Sequence, residues 1–271
     1  VGSEMCIRDR FARAFTQGNT TDFANWHARS GDNGAGIITP TQNMVNAYEM
    51  KATGERPYTE EADGTLVLNA GSGYDPQKPF EGRDPRFYAS VLYDGAVWMD
   101  RETETFFGGK DDANDPAAAQ PWNATHTGYY LRKFMDEKVP PSGSSVKMTS
   151  PWIHFRYAEI LLNYAEAKFE AGEEGTARIY LNKVRQRTGV KMPDINDTGD
   201  VLRERIQNER RVELAFEHHR FFDVRRWKIA ETTEKIPLQK MVITKENSVK
   251  KYDIQTLYNS CLLYTSDAAD D

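Results

Sequence analysis

The 271-residue sequence has no unbroken apolar run near 18 residues, so no segment reads as a membrane-spanning helix. Cysteine is almost absent, with only Cys6 and Cys261, one in each terminal segment. Between them nothing supports a disulfide framework or a thiolate metal site. Positive charge is not in excess. A net charge of −6 and a pI near 5.5 argue against a nucleic-acid groove, which needs a clustered basic face. P-loop, G-x-G-x-x-G, G-x-S-x-G and H-E-x-x-H patterns are missing, and Gly71-Ser72-Gly73 fits none of them. These absences weaken enzyme readings in general. What is left is a globular, mildly acidic chain with a mean hydropathy of −0.71. Its length suits one large domain or two small ones.

The two ends lack helix or strand periodicity. Residues 1–10 (VGSEMCIRDR) and the last dozen (SCLLYTSDAADD, residues 260–271) resemble the translation of a sequencing adapter joined to a reading frame. They are set aside as artefactual tails. Without the three aspartates of the second tail, the net charge moves from −6 to −3. The chain then reads as an internal or C-terminal fragment of a longer protein, with any leader or anchor lying upstream.

The remainder has two grammars. Residues 11–150 are loop-rich, with much of the glycine and proline and scattered aromatics. Residues 42–51 (QNMVNAYEMK) predict a short helix opened by Thr39-Pro40-Thr41, and residues 65–69 a short strand. Residues 86–93 (RFYASVLY) and 96–100 flank Asp94-Gly95, a strong hairpin signal that pairs Tyr93 with Ala96 and Val91 with Trp98. Residues 108–121 have no period and read as a loop. From 151 to about 235 the pattern is helical. Pro151 suits a first turn, and Ile153, Tyr157, Ile160, Leu161, Tyr164 and Ala165 follow at helical spacing up to Gly172. Ala177, Tyr180, Leu181, Val184 and Thr188 form a second stripe closed by Gly189, and the short turn between the two favours antiparallel packing. A third helix starts near Asp200 and carries Leu202, Ile206 and Phe216. Residues 220–230 make a fourth segment.

The densest charge lies in residues 209–227 (ERRVELAFEHHRFFDVRRW). Glu209 and Glu213 share a helix face with Leu202, Ile206 and Phe216. A carboxylate in an apolar groove is costly unless paired. Arg210, Arg211, Arg220, Arg225, Arg226 and Arg156 are the nearest partners by sequence, and the arginine fork binds carboxylates bidentately. A buried Arg–Glu–Asp network that docks the last helices is the favoured reading. It assigns Arg156, Glu159, Glu209, Glu213, Arg220, Asp223, Arg225 and Arg226 to structure. The rival is a mainly helical glycoside hydrolase with Glu209 or Glu213 and Asp223 as acid and base, which requires two carboxyls facing across an open cleft at ~5–9.5 Å. A third reading is a helical-repeat protein whose ligand is another protein.

No metal or cofactor is expected. His218 and His219 are adjacent, so on a helix they point about 100° apart and cannot chelate together. Asp111, Asp112, Asn114 and Asp115 lack the glycine and terminal glutamate of an EF-hand loop and read as a solvated acidic loop. The aromatics of the loop-rich half are the better site candidates, because flat rings stack on sugar rings. Trp98, past the predicted hairpin turn, and Trp122, in a Pro-Trp-Asn-Ala loop, are taken as stacking platforms, with Tyr74 and Tyr93 behind them.

Several long motifs then occur together. Residues 151–167 (PWIHFRYAEILLNYAEA), 181–189 (LNKVRQRTG) and 209–227 closely resemble, in order, three helical blocks of the SusD/RagB family. Pro40-Thr41-Gln42, Tyr48-Glu49-Met50, residues 83–88 (RDPRFY) and residues 128–134 (GYYLRKF) resemble that family's middle region. The resemblance covers nearly everything from Thr39 to Ala230. It departs at His218-His219, where the family usually has a small residue, and in the absence of the family's N-terminal portion. It implies a mainly α fold, with tetratricopeptide-like helix pairs carrying an irregular ligand-binding half that contains a small β-hairpin. It also implies a non-catalytic lipoprotein on the outer face of the outer membrane, anchored through an N-terminal lipid. Such a protein captures glycans, or in some members peptides, for a TonB-dependent transporter.

Overall fold

The computed structural model describes residues 10–15, 23–61, 63–112, 121–141 and 148–259. The chain opens with strand β1 (Arg10–Arg13) and helix α1 (Phe23–His27), then helix α2 (Gln42–Ala47). Thr41 caps α2 by accepting the Met44 N–H, at the predicted start, but the helix ends at Ala47, where Tyr48 turns extended, and does not run on to Lys51. Strands β2 (Tyr58–Glu60) and β3 (Leu66–Leu68) form a small antiparallel pair, the second at the predicted place. Gly64 in their connection has φ +86, and a Cβ there would lie 2.5 Å from Pro237 Cδ, so both backbone and space demand glycine.

The predicted hairpin about Asp94-Gly95 does not form. Asp84 accepts the Arg86 N–H and Pro85 occupies the first turn, so residues 85–90 become helix α3 (Pro85–Ser90) despite their β-like composition. Strand β4 (Val91–Leu92) then leaves the helix, followed by β5 (Val97–Trp98) and β6 (Arg101–Glu102). The hairpin lies between β5 and β6, and turns at Met99-Asp100, both with positive φ. Val91 pairs instead with Leu131 of β7 (Tyr130–Leu131).

Residues 151–156 correct the helical expectation in the same way. Trp152–Arg156 is strand β8, paired antiparallel with β1. Arg10, grouped with the first tail in the sequence, pairs there with Arg156. Helix α4 (Tyr157–Glu170) therefore starts later than Pro151, and its inner side chains are Leu161, Leu162, Ala165 and Phe169. Tyr157, Ile160 and Tyr164 of the predicted stripe lie outward. The chain folds back about Gly172 (φ +78) into α5 (Glu174–Arg185), so Tyr164 and Tyr180, equally far from the turn, meet ring to ring at 4.4 Å. Ala177, Leu181 and Val184 are buried as predicted.

Helix α6 (Gly199–Glu213) buries Leu202 and Ile206 against α4 and α5, while Val212 at its other end joins a second core. Phe216 is not on the stripe: the helix has ended, and Phe216 has φ +63. Each buried Leu or Ile contributes about 1.5–3 kcal/mol, so α6 is the joint of the molecule. Two short helices follow, α7 (Arg220–Arg226) and α8 (Ala230–Thr233). The chain then forms a long antiparallel ribbon not foreseen from sequence, β9 (Leu238–Glu246) and β10 (Val249–Tyr258), turning at Asn247-Ser248. Met241 and Ile243 of β9 pack with Val45, Tyr48, Phe80, Phe87, Val91 and Tyr129 in the second core. The mainly α expectation thus holds for residues 157–233. Among the described residues, the rest is short helices and two-stranded sheets.

Candidate functional site

The charged block is sealed. The Arg86 guanidinium, aimed by the capped start of α3, donates to Glu209 at 2.5 Å, to Glu213 at 3.0 Å and to Asp84 at 2.6 Å. Arg185 bridges Glu209 at 2.8 Å and Glu49 at 2.7 Å. Glu213 also accepts from Arg156, the last residue of β8 immediately before α4, and from Arg187. The carboxyl groups of Glu209 and Glu213 have essentially no solvent exposure. Burial by itself would push the Glu213 carboxyl up, but Arg156, Arg187 and Arg86 hold it well below the usual carboxylate range. Asp223, the third carboxylate of the hydrolase reading, is held by Arg210 and Arg226 at 3.0 Å each. All three carboxylates are buried and held by arginines, and Glu209 and Glu213 line neither cavity described below, so the set does not match the open acid–base pair of a glycosidase. The network reading stands for Arg156, Glu209, Glu213, Asp223 and Arg226, with a different partner set; Arg220 pairs with Glu234 and Arg225 with the Phe221 carbonyl instead. Arg86, Arg185 and Arg187 were missed, although Arg86 sits in the Asp-Pro-Arg cap and the other two in the LNKVRQRTG block.

Metal readings find no support among the described residues, where no cluster of His, Cys, Asp or Glu is placed to hold an ion. Asp111 accepts from Arg101, Gly31 N and Glu104 N. Asn114 and Asp115 lie outside the described residues. His218 stacks on Trp152 at 5.2 Å, and His219 lies 3.7 Å from Glu159.

The four aromatic candidates do not converge. Trp98 is only 4% exposed and packs with Leu92, Ala96 and Tyr130. Arg132 lies 5.5 Å over its ring, and its carbonyl accepts from the buried Arg29 at 2.8 Å. A ring covered in this way offers no face to a ligand, so Trp98 is core and not a platform. Tyr93 is half-buried and lies within 5.2 Å of the Phe80 and Phe87 rings. Tyr74 is buried against Tyr58, with Arg83 5.3 Å over its ring. Trp122 is 73% exposed, in the turn Pro121–Asn123.

The chain after Trp122 is tied to its neighbours. Tyr130 Oη accepts the Thr125 N–H at 3.0 Å and donates to the Asp111 carbonyl at 2.9 Å, pinning two loops together. Gly36 (φ +53) lies against the Asn123 carbonyl, where a Cβ would approach to 2.7 Å. Ile37 next to it donates to the Trp26 carbonyl at 2.9 Å. Trp26, Ile37 and Trp122, all exposed, are therefore on adjoining segments. Sequence reasoning singled out Trp122 and not Trp26, because the backbone contacts that bring their segments together are non-local.

Two of the cavities among the described residues open elsewhere. One of about 660 Å³ lies where α6 ends, beside α2, α7 and the start of β9. It contains Arg211, which donates to the Asn43 carbonyl at 3.1 Å. Burial, followed by repulsion from Arg220, lowers that guanidinium to about 10. The other, of about 450 Å³, lies along the β9–β10 ribbon.

Comparison with known proteins gives a consistent result. The profile of the SusD family matches residues 7–264. A SusD-like carbohydrate-binding protein from Bacteroides fragilis superposes with a TM-score of 0.67 at 28% identity, over 85% of this chain and 43% of that one. A second SusD-like protein from B. fragilis also gives 0.67 at 28% identity, over 92% of this chain and 48% of that one. SusD-like protein P2 of Formosa agariphila is 35% identical over 86 residues, which is 29% of this chain and 17% of the relative. The chain thus spans less than half the length of the relatives it matches.

Proposed function

The chain belongs to the SusD family, and from that premise we propose that it captures an oligosaccharide at the cell surface without converting it. The observation that carries this reading is the likeness to a carbohydrate-binding structure, combined with burial of every carboxylate the hydrolase reading needs. Glu209 and Glu213 stabilise the joint between the helical layer and the loop-rich half. Arginines from both sides meet there, Arg86 from α3 and Arg156, Arg185 and Arg187 from the helical side.

Capture requires an exposed flat ring on a held segment; Trp122 supplies the ring, and the residues after it are held by Tyr130 and packed against Gly36. Trp26 and Ile37 on adjoining segments extend the apolar surface. A sugar ring stacks there by burying its C–H face, while neighbouring polar groups bind its hydroxyls. Trp98, packed with Tyr130, and Tyr93, packed with Phe80 and Phe87, support the fold instead of meeting a ligand. The α4–α5 pair leaves Ile160 and Ile179 exposed. That suits a tetratricopeptide-like unit within a longer helical stack. In the whole protein the ligand passes to a TonB-dependent outer-membrane transporter, and an N-terminal lipid holds the protein on the outer face.

The test is calorimetric titration with a panel of neutral and acidic oligosaccharides, with reducing-sugar release measured in parallel. Binding without release, weakened at least tenfold in Trp122→Ala at unchanged melting temperature, is the expected result. Sugar release abolished by Glu213→Gln contradicts the reading. Binding of peptides but of no oligosaccharide redirects the ligand class.

A further inference from the structure

Tyr130 stands on β7 and is fully buried. Burial pushes its hydroxyl up to about 12, so it keeps its hydrogen at neutral pH. A phenolic hydroxyl has one hydrogen to donate and an oxygen that accepts. The hydrogen goes to the Asp111 carbonyl at 2.9 Å, which can only accept. The Thr125 N–H donates to the oxygen at 3.0 Å. The Ser30 hydroxyl lies 3.0 Å away, and with the phenolic hydrogen already used it is the donor of that pair. One oxygen thus joins three segments that lie 100, 19 and 5 positions away in the chain.

Two of the three are joined in another way as well. Arg101 donates to Asp32 at 2.9 Å and to both carboxyl oxygens of Asp111 at 2.7 Å. The Gly31 N–H reaches Asp111 Oδ1 at 3.2 Å. These charge-assisted bonds hold residues 30–32 to Asp111 without help from Tyr130. What the hydroxyl adds is the link to Thr125, just past Trp122. Gly36 closes the same junction from another side. A Cβ there would lie 2.7 Å from the Asn123 carbonyl and 3.0 Å from Tyr130 Cε1. The Tyr130 ring, the Trp122 turn and the segment after Trp26 therefore meet at one place.

We propose that Tyr130 is a positioning residue for the ligand surface: its hydroxyl sets the Trp122 turn against the segment that follows Trp26, so the surface is formed before a glycan arrives. The assignment rests on the reading of Trp122 as the stacking platform. A surface formed in advance spares binding the cost of ordering it, roughly twofold to tenfold in affinity for one side chain.

Tyr130→Phe removes the hydroxyl and keeps the ring. Tyr129→Phe is the matched control. Tyr129 is equally buried, but its hydroxyl donates to Gln42 at 2.6 Å and its ring lies in the second core. Both variants are expected to melt below the wild type, since each loses a buried hydrogen bond. Titration with the neutral and acidic oligosaccharides, well below either melting transition, separates them. Binding is expected to weaken about three- to tenfold in Tyr130→Phe and to stay at the wild-type value in Tyr129→Phe. The weakening vanishes in a Trp122→Ala background, because the hydroxyl acts through that ring. Gly36→Ala presses on the same turn and removes no side-chain hydrogen bond, so it carries the same test where Tyr130→Phe does not fold. Wild-type affinity in Tyr130→Phe and in Gly36→Ala overturns the positioning role and leaves capture by Trp122 standing. Equal weakening in Tyr129→Phe and Tyr130→Phe does the same, as does a Tyr130→Phe loss that persists in full without Trp122. If none of the oligosaccharides binds the wild type, the capture reading itself fails and the role of Tyr130 falls with it.

Discussion

Glu213→Gln separates a structural carboxylate from a catalytic one. In the wild type, the Glu213 carboxyl is fully buried and accepts from Arg86, Arg156 and Arg187. The amide keeps the shape, but it removes the charge and turns one acceptor into a donor facing guanidinium groups. Removing one member of a buried ionic cluster costs ~3–5 kcal/mol. The lower end applies here because two of the three arginines keep other partners. Arg86 retains Asp84 and Glu209, and Arg156 retains Glu217. Only Arg187 is left without a carboxylate, and it is one-third exposed and can turn to water. A loss of ~3 kcal/mol corresponds to a melting temperature lower by roughly 6–12 °C for a chain of this size. Circular dichroism melts of wild type and variant read it directly, with urea titration as a second measure. A shift below about 1 °C refutes the claim that this network holds the two layers together. Unchanged stability with altered sugar chemistry refutes it more strongly.

The same pair of proteins gives a pH test. The folded pKa of Glu213 lies below its unfolded value of about 4.3. Its contribution is therefore complete above that unfolded pKa and is lost as pH falls through the lower folded value. The gap in melting temperature between wild type and Glu213→Gln should be constant at pH 5–7 and narrow on further acidification; a gap that widens instead refutes the assignment. Trp98→Ala should destabilise the chain by about 3–5 kcal/mol through the cavity it leaves. In chemical denaturation it should weaken ligand binding only as far as it unfolds the protein; lost affinity at full foldedness would return Trp98 to the site.

The helical layer was the most legible part of the sequence. Its stripes are local, its turns are marked by Gly172 and Gly189, and Leu202 and Ile206 lie where the period puts them. Residues 85–90 were misread because apolar β-formers were weighed above a two-residue cap. Asp84 and Pro85 fix the start of α3, and tertiary burial of Phe87 completes it. Strand β8 was misread as helix because its partner β1 lies about 140 residues away, and no local pattern shows such a pairing. The β9–β10 ribbon was readable in principle, from the alternation of Met241, Ile243, Tyr252 and Ile254 about Asn247-Ser248. At the site, a tryptophan's residue type does not decide its exposure. Arg29, 69 positions upstream, buries beneath the β5–β6 hairpin and makes Trp98 core. The short turn Pro121–Asn123 carries Trp122 outward.

The central claim is capture by an exposed ring without chemistry. It is tested most directly by titrating the oligosaccharide panel into wild type and Trp122→Ala while measuring sugar release and melting temperature on the same samples. The account predicts binding with no release, and at least a tenfold loss of affinity in Trp122→Ala at equal melting temperature. Equal affinity of the two proteins, or release of sugar by the wild type, contradicts it.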